Sequence, residues 1–344
     1  SAIMVGPPGH ASRWPNSTSS FCVAADRRPD TRAGPVIILT GPTGTGKSDW
    51  ALSLAETLPV EIVSCDSAQV FRGLDIGTAK PDAATRARVP HHLLDLRDPA
   101  ESYSAGEFVT DATATLRAIL ARGRLPGVVG GTMLYLRALL QGMAPLPTAR
   151  ADIRAQIDAR AAREGWSTLH AELACFDPVA AARIHANDRQ RIQRALEVFH
   201  ATGTPISTWQ SATGSAAGQF VFHEWALVPA DRAVLHARIT QRFHGMMAAG
   251  LLDEVRALHA RPDLTAQHPA IRAVGYRQLW QYLAGDGSLE QAIERAIAAT
   301  RQLAKRQLTW LKSSLSMEKT DPLAAQARAG WSARVHALWR APVI

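Results

Sequence analysis

The apolar run Val36-Ile37-Ile38-Leu39 is too short for a helix and is bounded by Pro35 and Gly41, so residues 36–40 are predicted to form a buried strand. Residues 48–58 place Ala51, Leu52, Leu54 and Ala55 on neighbouring faces of a helix, and after the turn at Pro59 residues 60–64 make a second strand. Residues 92–96 are a candidate third strand. Ser104-Ala105-Gly106-Glu107 has capping-box spacing and opens a long helix to about residue 122. Residues 127–131 read as a further buried strand ending at glycines, with a helix from Thr132. Short strands alternating with helices predict a parallel sheet covered on both sides.

The alternation stops at Pro145-Leu146-Pro147, and the chain is helix-like from about residue 150 to 210. Residues 145–219 are therefore expected to form a helical insertion domain in an α/β core built from 35–144 and 220–318. Within the insertion, the helix predicted over 188–200 sets Ile192, Leu196 and Phe199 on one side and Arg189, Arg191 and Arg194 elsewhere. Residues 220–228 read as a returning strand, and Asp231 begins a helical C-terminal half. Residues 1–34, rich in Pro, Ser, Arg and Gly, are expected to be a disordered leader, and 319–344 a C-terminal tail.

Composition narrows the class. Of 344 residues, 47% are hydrophobic and 20% charged, which excludes wholesale disorder, and no apolar run approaches the length of a membrane span. Cys22, Cys65 and Cys175 are far apart and contain no C-x-x-C pair, which argues against a disulfide framework or zinc site and for a cytoplasmic protein. The histidines show no metal-ligand spacing. A net charge of +8 and a pI near 9.9 suit a polyanionic partner.

The first predicted turn carries chemistry. Gly41-Pro42-Thr43-Gly44-Thr45-Gly46-Lys47-Ser48 satisfies G-x-x-x-x-G-K-[ST] between a strand and a helix. Its glycines let successive N–H groups point at phosphate oxygens, Lys47 adds a point charge, and Ser48 offers a hydroxyl to Mg²⁺. The motif implies a bound phosphate compound and leaves open which one. After the second strand comes Asp66-Ser67-Ala68-Gln69, at the sheet edge where open α/β folds bind ligands. Asp66 suits a general base or a water-mediated partner of Mg²⁺, or it caps a turn together with Ser67. Gly130-Gly131-Thr132 would join the same rim.

Basic residues concentrate near the end of the chain. Arg295, Arg301, Lys305, Arg306 and Lys312 occur without an acid between them. Helical spacing sets Arg301, Lys305 and Lys312 on one face with Ala299, Leu303 and Trp310 on the other, suiting either a solvated face or a track for a phosphate backbone. Arg272-Ala273-Val274-Gly275-Tyr276-Arg277 adds two cations and an aromatic on what reads as a loop, a pairing that can clamp unpaired bases.

The phosphate motif, the run Asp66-Ser67-Ala68-Gln69 with the downstream Asp75-Ile76-Gly77-Thr78-Ala79-Lys80-Pro81, Gly130 to Tyr135, Gln190-Arg191-Ile192-Gln193-Arg194, Val274 to Arg277 and Lys305-Arg306-Gln307-Leu308-Thr309-Trp310 together resemble the tRNA dimethylallyltransferase family, also called tRNA isopentenyltransferases. The resemblance covers about residues 35–312 in the family's order. Phe71 departs from it, standing where the family commonly shows Tyr. The resemblance implies a P-loop NTPase-like parallel sheet flanked by helices, with the helical insertion contacting tRNA. It implies that the phosphate loop holds dimethylallyl diphosphate, with Arg242 as a further clamp, and that the five-carbon unit moves to N6 of the adenosine 3′ of the anticodon. Asp66 is then the expected base, Thr132 and Lys47 the expected helpers, Ser48 the Mg²⁺ ligand, and a monomer away from the membrane the expected form. tRNA contacts are expected from Asp66 to Gln69, Thr132, Arg154, Gln190 to Arg194, Arg272 to Arg277, and Lys305 to Lys312, the last stretch including Leu311. An adenylate dimethylallyltransferase, a small-metabolite kinase and a nucleotide-switched RNA-binding protein remain the competing readings.

Overall fold

The computed structural model describes residues 34–144, 146–211, 219–314 and 316–340. The expected leader, apart from Gly34, and Pro145 of the insertion boundary lie outside the described residues. Strands β1 (Pro35–Thr40), β2 (Val60–Cys65), β3 (His91–His92), β4 (Leu125–Gly130), β5 (Val221–Leu227) and β6 (Glu318–Thr320) form a parallel sheet in the order β3-β2-β4-β1-β5-β6. β2 is buried along its whole length and β1 almost so. A parallel sheet covered on both faces demands such near-continuous apolar strands.

Alternate residues of β1 face opposite layers. Val36 and Ile38 pack with Phe108, Leu116 and Ile119 of α3 (Ala105–Ala121) and with Leu136 and Leu139 of α4 (Met133–Gln141). Ile37 and Leu39 pack with Trp50 and Leu54 of α1 (Lys47–Ala55). The capping box at the head of α3 forms as predicted, with Ser104 Oγ accepting from Glu107 N–H and Glu107 accepting from Ser104 N–H. Glu61 is the charged residue inside β2, and its buried carboxylate is met by Arg122, Arg124 and His92 at 2.6–2.9 Å.

Three expectations are corrected. The third strand comes earlier and is shorter than 92–96, because Leu93 and Asp95 adopt positive φ and Asp95 turns to accept from Lys80 and Arg86 at 2.7 Å. The first helix ends at Ala55, before the expected residue 58. The expected C-terminal tail instead supplies the end of the edge strand β6 and the helix α14 (Ala327–Arg340), whose Trp331 is 1% exposed and lies 5.5 Å, centroid to centroid, from the Trp50 ring.

Among the described residues between β4 and β5, the elements after α4 are helices: α5 (Ala151–Glu164), α6 (Trp166–Phe176), α7 (Pro178–Arg183), α8 (Arg189–Thr202) and α9 (Ile206–Ser211). These helices enclose two small apolar clusters of their own, around Leu173 and Val198 and around Ile157 and Leu196. After β5, helices α10 (Arg232–Ala248), α11 (Leu251–His259), α12 (Tyr276–Leu283) and α13 (Leu289–Ser313) bury Phe243, Val255, Leu279 and Ala296 against Val70, Phe71 and Leu74. Phe71 is thus a core side chain.

Candidate active site

β2, β4 and β1 are adjacent, and the loops leaving their carboxyl ends meet. The loop after β1 carries the phosphate motif. Gly44 and Gly46 take φ of +85° and +84°, conformations that side chains with a Cβ rarely adopt, and Gly46 opens α1 so that the helix N-terminus faces the site. Lys47 Nζ donates to Gly41 O and Pro42 O, both at 2.9 Å. Burial, then the neighbouring Arg242 guanidinium, pull the Lys47 ammonium down to about 8, and Asp66 opposes them. Ser48 is exposed, whereas Thr45 is buried and gives its hydroxyl to Pro42 O.

The loop after β2 is held by its own first residue. Asp66 Oδ1 accepts from Ala68 N–H at 2.8 Å and from Gln69 N–H at 3.4 Å, so the turn-capping role is real, and Oδ2 makes no recorded hydrogen bond among the described residues. Thr132, at the head of α4, accepts through Oγ1 from Ser67 N–H at 3.0 Å. Gln69 is braced on three sides, accepting from Ser64 Oγ and donating to Thr78 O and Ala79 O.

A cavity of about 750 Å³ joins these parts. Thr43, Lys47 and Ser48 line it on one side, Asp66 to Gln69 and Gly130 to Leu134 on another, and Ile239, Arg242, Phe243 and Met246 of α10 with Leu303, Arg306, Gln307 and Trp310 of α13 close it. Arg191 of α8 and Arg272 with Ala273 and Val274 reach its rim. A second cavity of about 970 Å³ shares Lys47, Ser48, Arg242 and Met246 with the first, so the phosphate loop stands between two openings. Burial away from water lowers the Arg242 guanidinium below its ordinary value, and Asp66 and Asp49 work against that shift.

Other expected contact residues have different duties. Arg154 and Arg194 grip the buried Glu197 carboxylate at 2.6–3.1 Å, and Arg150 N–H adds a third donor. Burial alone would raise Glu197, but these donors outweigh it and hold the carboxyl below its usual range. Ile192 is in the core, and Gln193 donates to Asp158. Tyr276 belongs to α12 and not to a loop. Its ring is buried in the wall of the cavity and its hydroxyl donates to Glu254.

On α13 the buried seam runs through Ala304, Gln307, Leu308 and Leu311. The expected seam of Leu303 and Trp310 instead faces the cavity, and Arg301 donates to Thr240 of α10. Lys305, Arg306, Thr309, Lys312, Arg277 and Gln190 remain exposed.

Four site residues escaped the sequence reading. Glu254 of α11 accepts from the successive N–H groups of Asp75, Ile76 and Gly77 at 2.8–3.3 Å, fixing the wall of the cavity. No local pattern marks it, because its partners lie about 180 residues away. Ile239, Phe243 and Met246 share one face of α10 with Arg242 at helical spacing, a signal that was present in the sequence.

The model of the IPP transferase family matches residues 69–314. The chain belongs to this family. The IPP transferase relatives include a tRNA dimethylallyltransferase of Stenotrophomonas maltophilia, 56% identical over 297 residues, covering 85% of this chain and 94% of the relative. One from Bordetella pertussis is 55% identical over 294 residues, with the same coverage. Among solved structures of the family, the tRNA isopentenylpyrophosphate transferase of Bacillus halodurans is 35% identical and superposes with a TM-score of 0.65 over 89% of this chain and 96% of that one. A eukaryotic dimethylallyltransferase acting on tRNA is 27% identical, with a TM-score of 0.74 over 89% and 78%. No helix among the described residues is long and apolar enough to cross a membrane.

Proposed function

We infer that this chain transfers the dimethylallyl group from dimethylallyl diphosphate to N6 of the adenosine 3′-adjacent to the anticodon in tRNA, giving N6-dimethylallyladenosine and diphosphate. The observation that carries the reading is the shared cavity, in which Asp66 and Thr132 stand opposite Lys47 and Ser48 while Arg191 and Arg306 line the same space. A nucleobase site and a diphosphate site then open into one chamber, of the size usual for small-ligand pockets.

As the allylic C–O bond breaks, negative charge grows on the departing diphosphate. Lys47, Arg242 and the amides at the head of α1 meet that charge. Ile239, Phe243, Met246 and Leu303 give the five-carbon chain an apolar wall. N6 of adenine is a weak nucleophile, so its proton passes to Asp66 as the N–C bond forms, with Thr132 positioning the amine. The exposed Ser48 hydroxyl, with the substrate's diphosphate oxygens and water, is a hard-oxygen set that fits Mg²⁺, although the described residues contain no cluster of three or more His, Cys, Asp or Glu to hold a metal by themselves. Bound there, Mg²⁺ would supply further charge neutralisation of the leaving group.

The target base must leave its stack to enter the chamber. Arg191 and Gln190 of the insertion, Arg272 and Arg277, and Lys305, Arg306 and Lys312 of α13 are exposed and would hold the RNA around it. Every one of these parts comes from a single chain, so a monomer suffices, and a tRNA substrate sets the work in the cytoplasm. Incubation with labelled dimethylallyl diphosphate or ATP, with and without tRNA, tests the reading. Label should reach RNA from the allylic compound alone; phosphoryl transfer from ATP would overturn it.

A further inference from the structure

We propose that Gln307 is a specificity-determining stop that limits the phosphate loop to two phosphoryl groups, so that the site takes a diphosphate and turns away a triphosphate. The inference rests on the reading of residues 41–48 as a diphosphate site. Gln307 is 7% exposed and lies between the two loops that build the chamber. Its Oε1 accepts from Thr43 N–H at 3.0 Å, and its Nε2 donates to Gly131 O at 2.7 Å. This pairing fixes the orientation of the carboxamide, since a flip would set NH₂ against N–H and oxygen against oxygen.

The consequence falls on the phosphate loop. An anion at the head of α1 draws on the N–H groups next to Lys47 and Ser48. A longer polyphosphate that stays in the chamber holding Asp66 and Thr132 extends along the loop wall toward Thr43, which lines that cavity. There the N–H is already engaged, and the carboxamide that engages it fills the space. A third phosphoryl group would have to displace a side chain held by two hydrogen bonds or lie desolvated without a donor. The general motif is shared with proteins that bind triphosphates, so a closure of this kind supplies discrimination that the motif itself lacks. Gly131 is part of the device. A Cβ built there would stand 2.6 Å from Gln307 Nε2, so a side chain at this position would push the carboxamide out of its seat between the loops.

Calorimetric binding of inorganic pyrophosphate and of tripolyphosphate, at fixed salt and Mg²⁺, to the full chain tests this. The wild type should prefer pyrophosphate. Gln307→Ala removes the stop, and Gly131→Ala pushes it aside while keeping the glutamine, so the second variant carries the test if the first fails to fold. Each should move the affinity ratio toward tripolyphosphate by roughly tenfold, the effect of one freed hydrogen-bond donor facing an anion. Equal affinity of the wild type for the two probes, or an unchanged ratio in both variants while pyrophosphate still binds, would overturn the proposal. Failure of the wild type to bind either probe, or pyrophosphate binding indifferent to Lys47→Ala, would overturn the diphosphate reading instead.

Discussion

Thr132 Oγ1 accepts a hydrogen bond from Ser67 N–H at 3.0 Å, joining residues 65 apart in the chain at the carboxyl ends of two adjacent strands. The bond sets the Asp66 turn against the head of α4 and leaves one carboxylate oxygen of Asp66 without a recorded hydrogen bond. If that oxygen takes the N6 proton, Asp66→Ala should lower single-turnover dimethylallyl transfer by roughly 10²–10⁴-fold while tRNA binding is retained. Transfer equal to wild type would remove Asp66 from the role of base.

The Lys47 ammonium, brought down to about 8 by burial and by Arg242, makes diphosphate binding depend on pH. The anion favours the protonated lysine, so affinity should fall as pH rises through about 8, while Lys47→Arg, which stays charged, should show a flatter profile. Stability should move the other way. Between about 8 and the ordinary value of 10.5 the unfolded chain holds the proton that the folded chain has lost, so this group makes the ligand-free protein more stable with rising pH across that window. Parallel binding and denaturation titrations check both signs.

Lys305 is exposed on α13, and its side chain makes no recorded hydrogen bond or ion pair among the described residues. Lys305→Ala should weaken tRNA binding, reduce the magnitude of the log–log salt slope by about 1, and leave diphosphate affinity alone. An unchanged slope would take this side chain off the RNA path.

Arg194 should behave differently although it stands in the same Gln-Arg-Ile-Gln-Arg run as Arg191. It donates to Glu197 Oε2 and to Pro147 O, both at 2.6 Å. Arg194→Ala leaves a buried carboxylate one partner short, so it should cost about 1–3 kcal/mol of stability. Arg191→Ala should instead weaken tRNA binding with little change in melting temperature. Equal effects of the two substitutions on both readouts would refute the division of labour.

That contrast shows where sequence reading reached and where it stopped. The strand, loop and helix around Lys47 and the cap at Ser104 were legible because local spacing determines them. The partner of Arg154 was not, because a basic residue looks the same whether it meets solvent, RNA or a carboxylate 43 positions away, whereas Arg194 and Glu197 stand three apart on α8, a spacing that was present in the sequence. Tyr276 was misplaced for a related reason: Gly275 suggested a loop, yet it opens α12 and the ring turns inward to Glu254. The resemblance supplied the identity of the phosphate ligand, which the loop glycines alone leave open. Trp331 lay in a stretch without a strong periodic signal, and its pairing with Trp50 is long-range. Trp331→Ala should therefore destabilise the chain by about 3–5 kcal/mol, measurable by denaturant titration.

The central claim is that the phosphate loop cradles a leaving group and that the acceptor is a tRNA adenosine. Nucleoside analysis of tRNA after reaction, with diphosphate release measured in the same samples, tests it most directly. One N6-dimethylallyladenosine at the position 3′ of the anticodon should form for each diphosphate released, with no ATP consumed. Diphosphate release without the modified nucleoside, or a product that requires ATP, would contradict it.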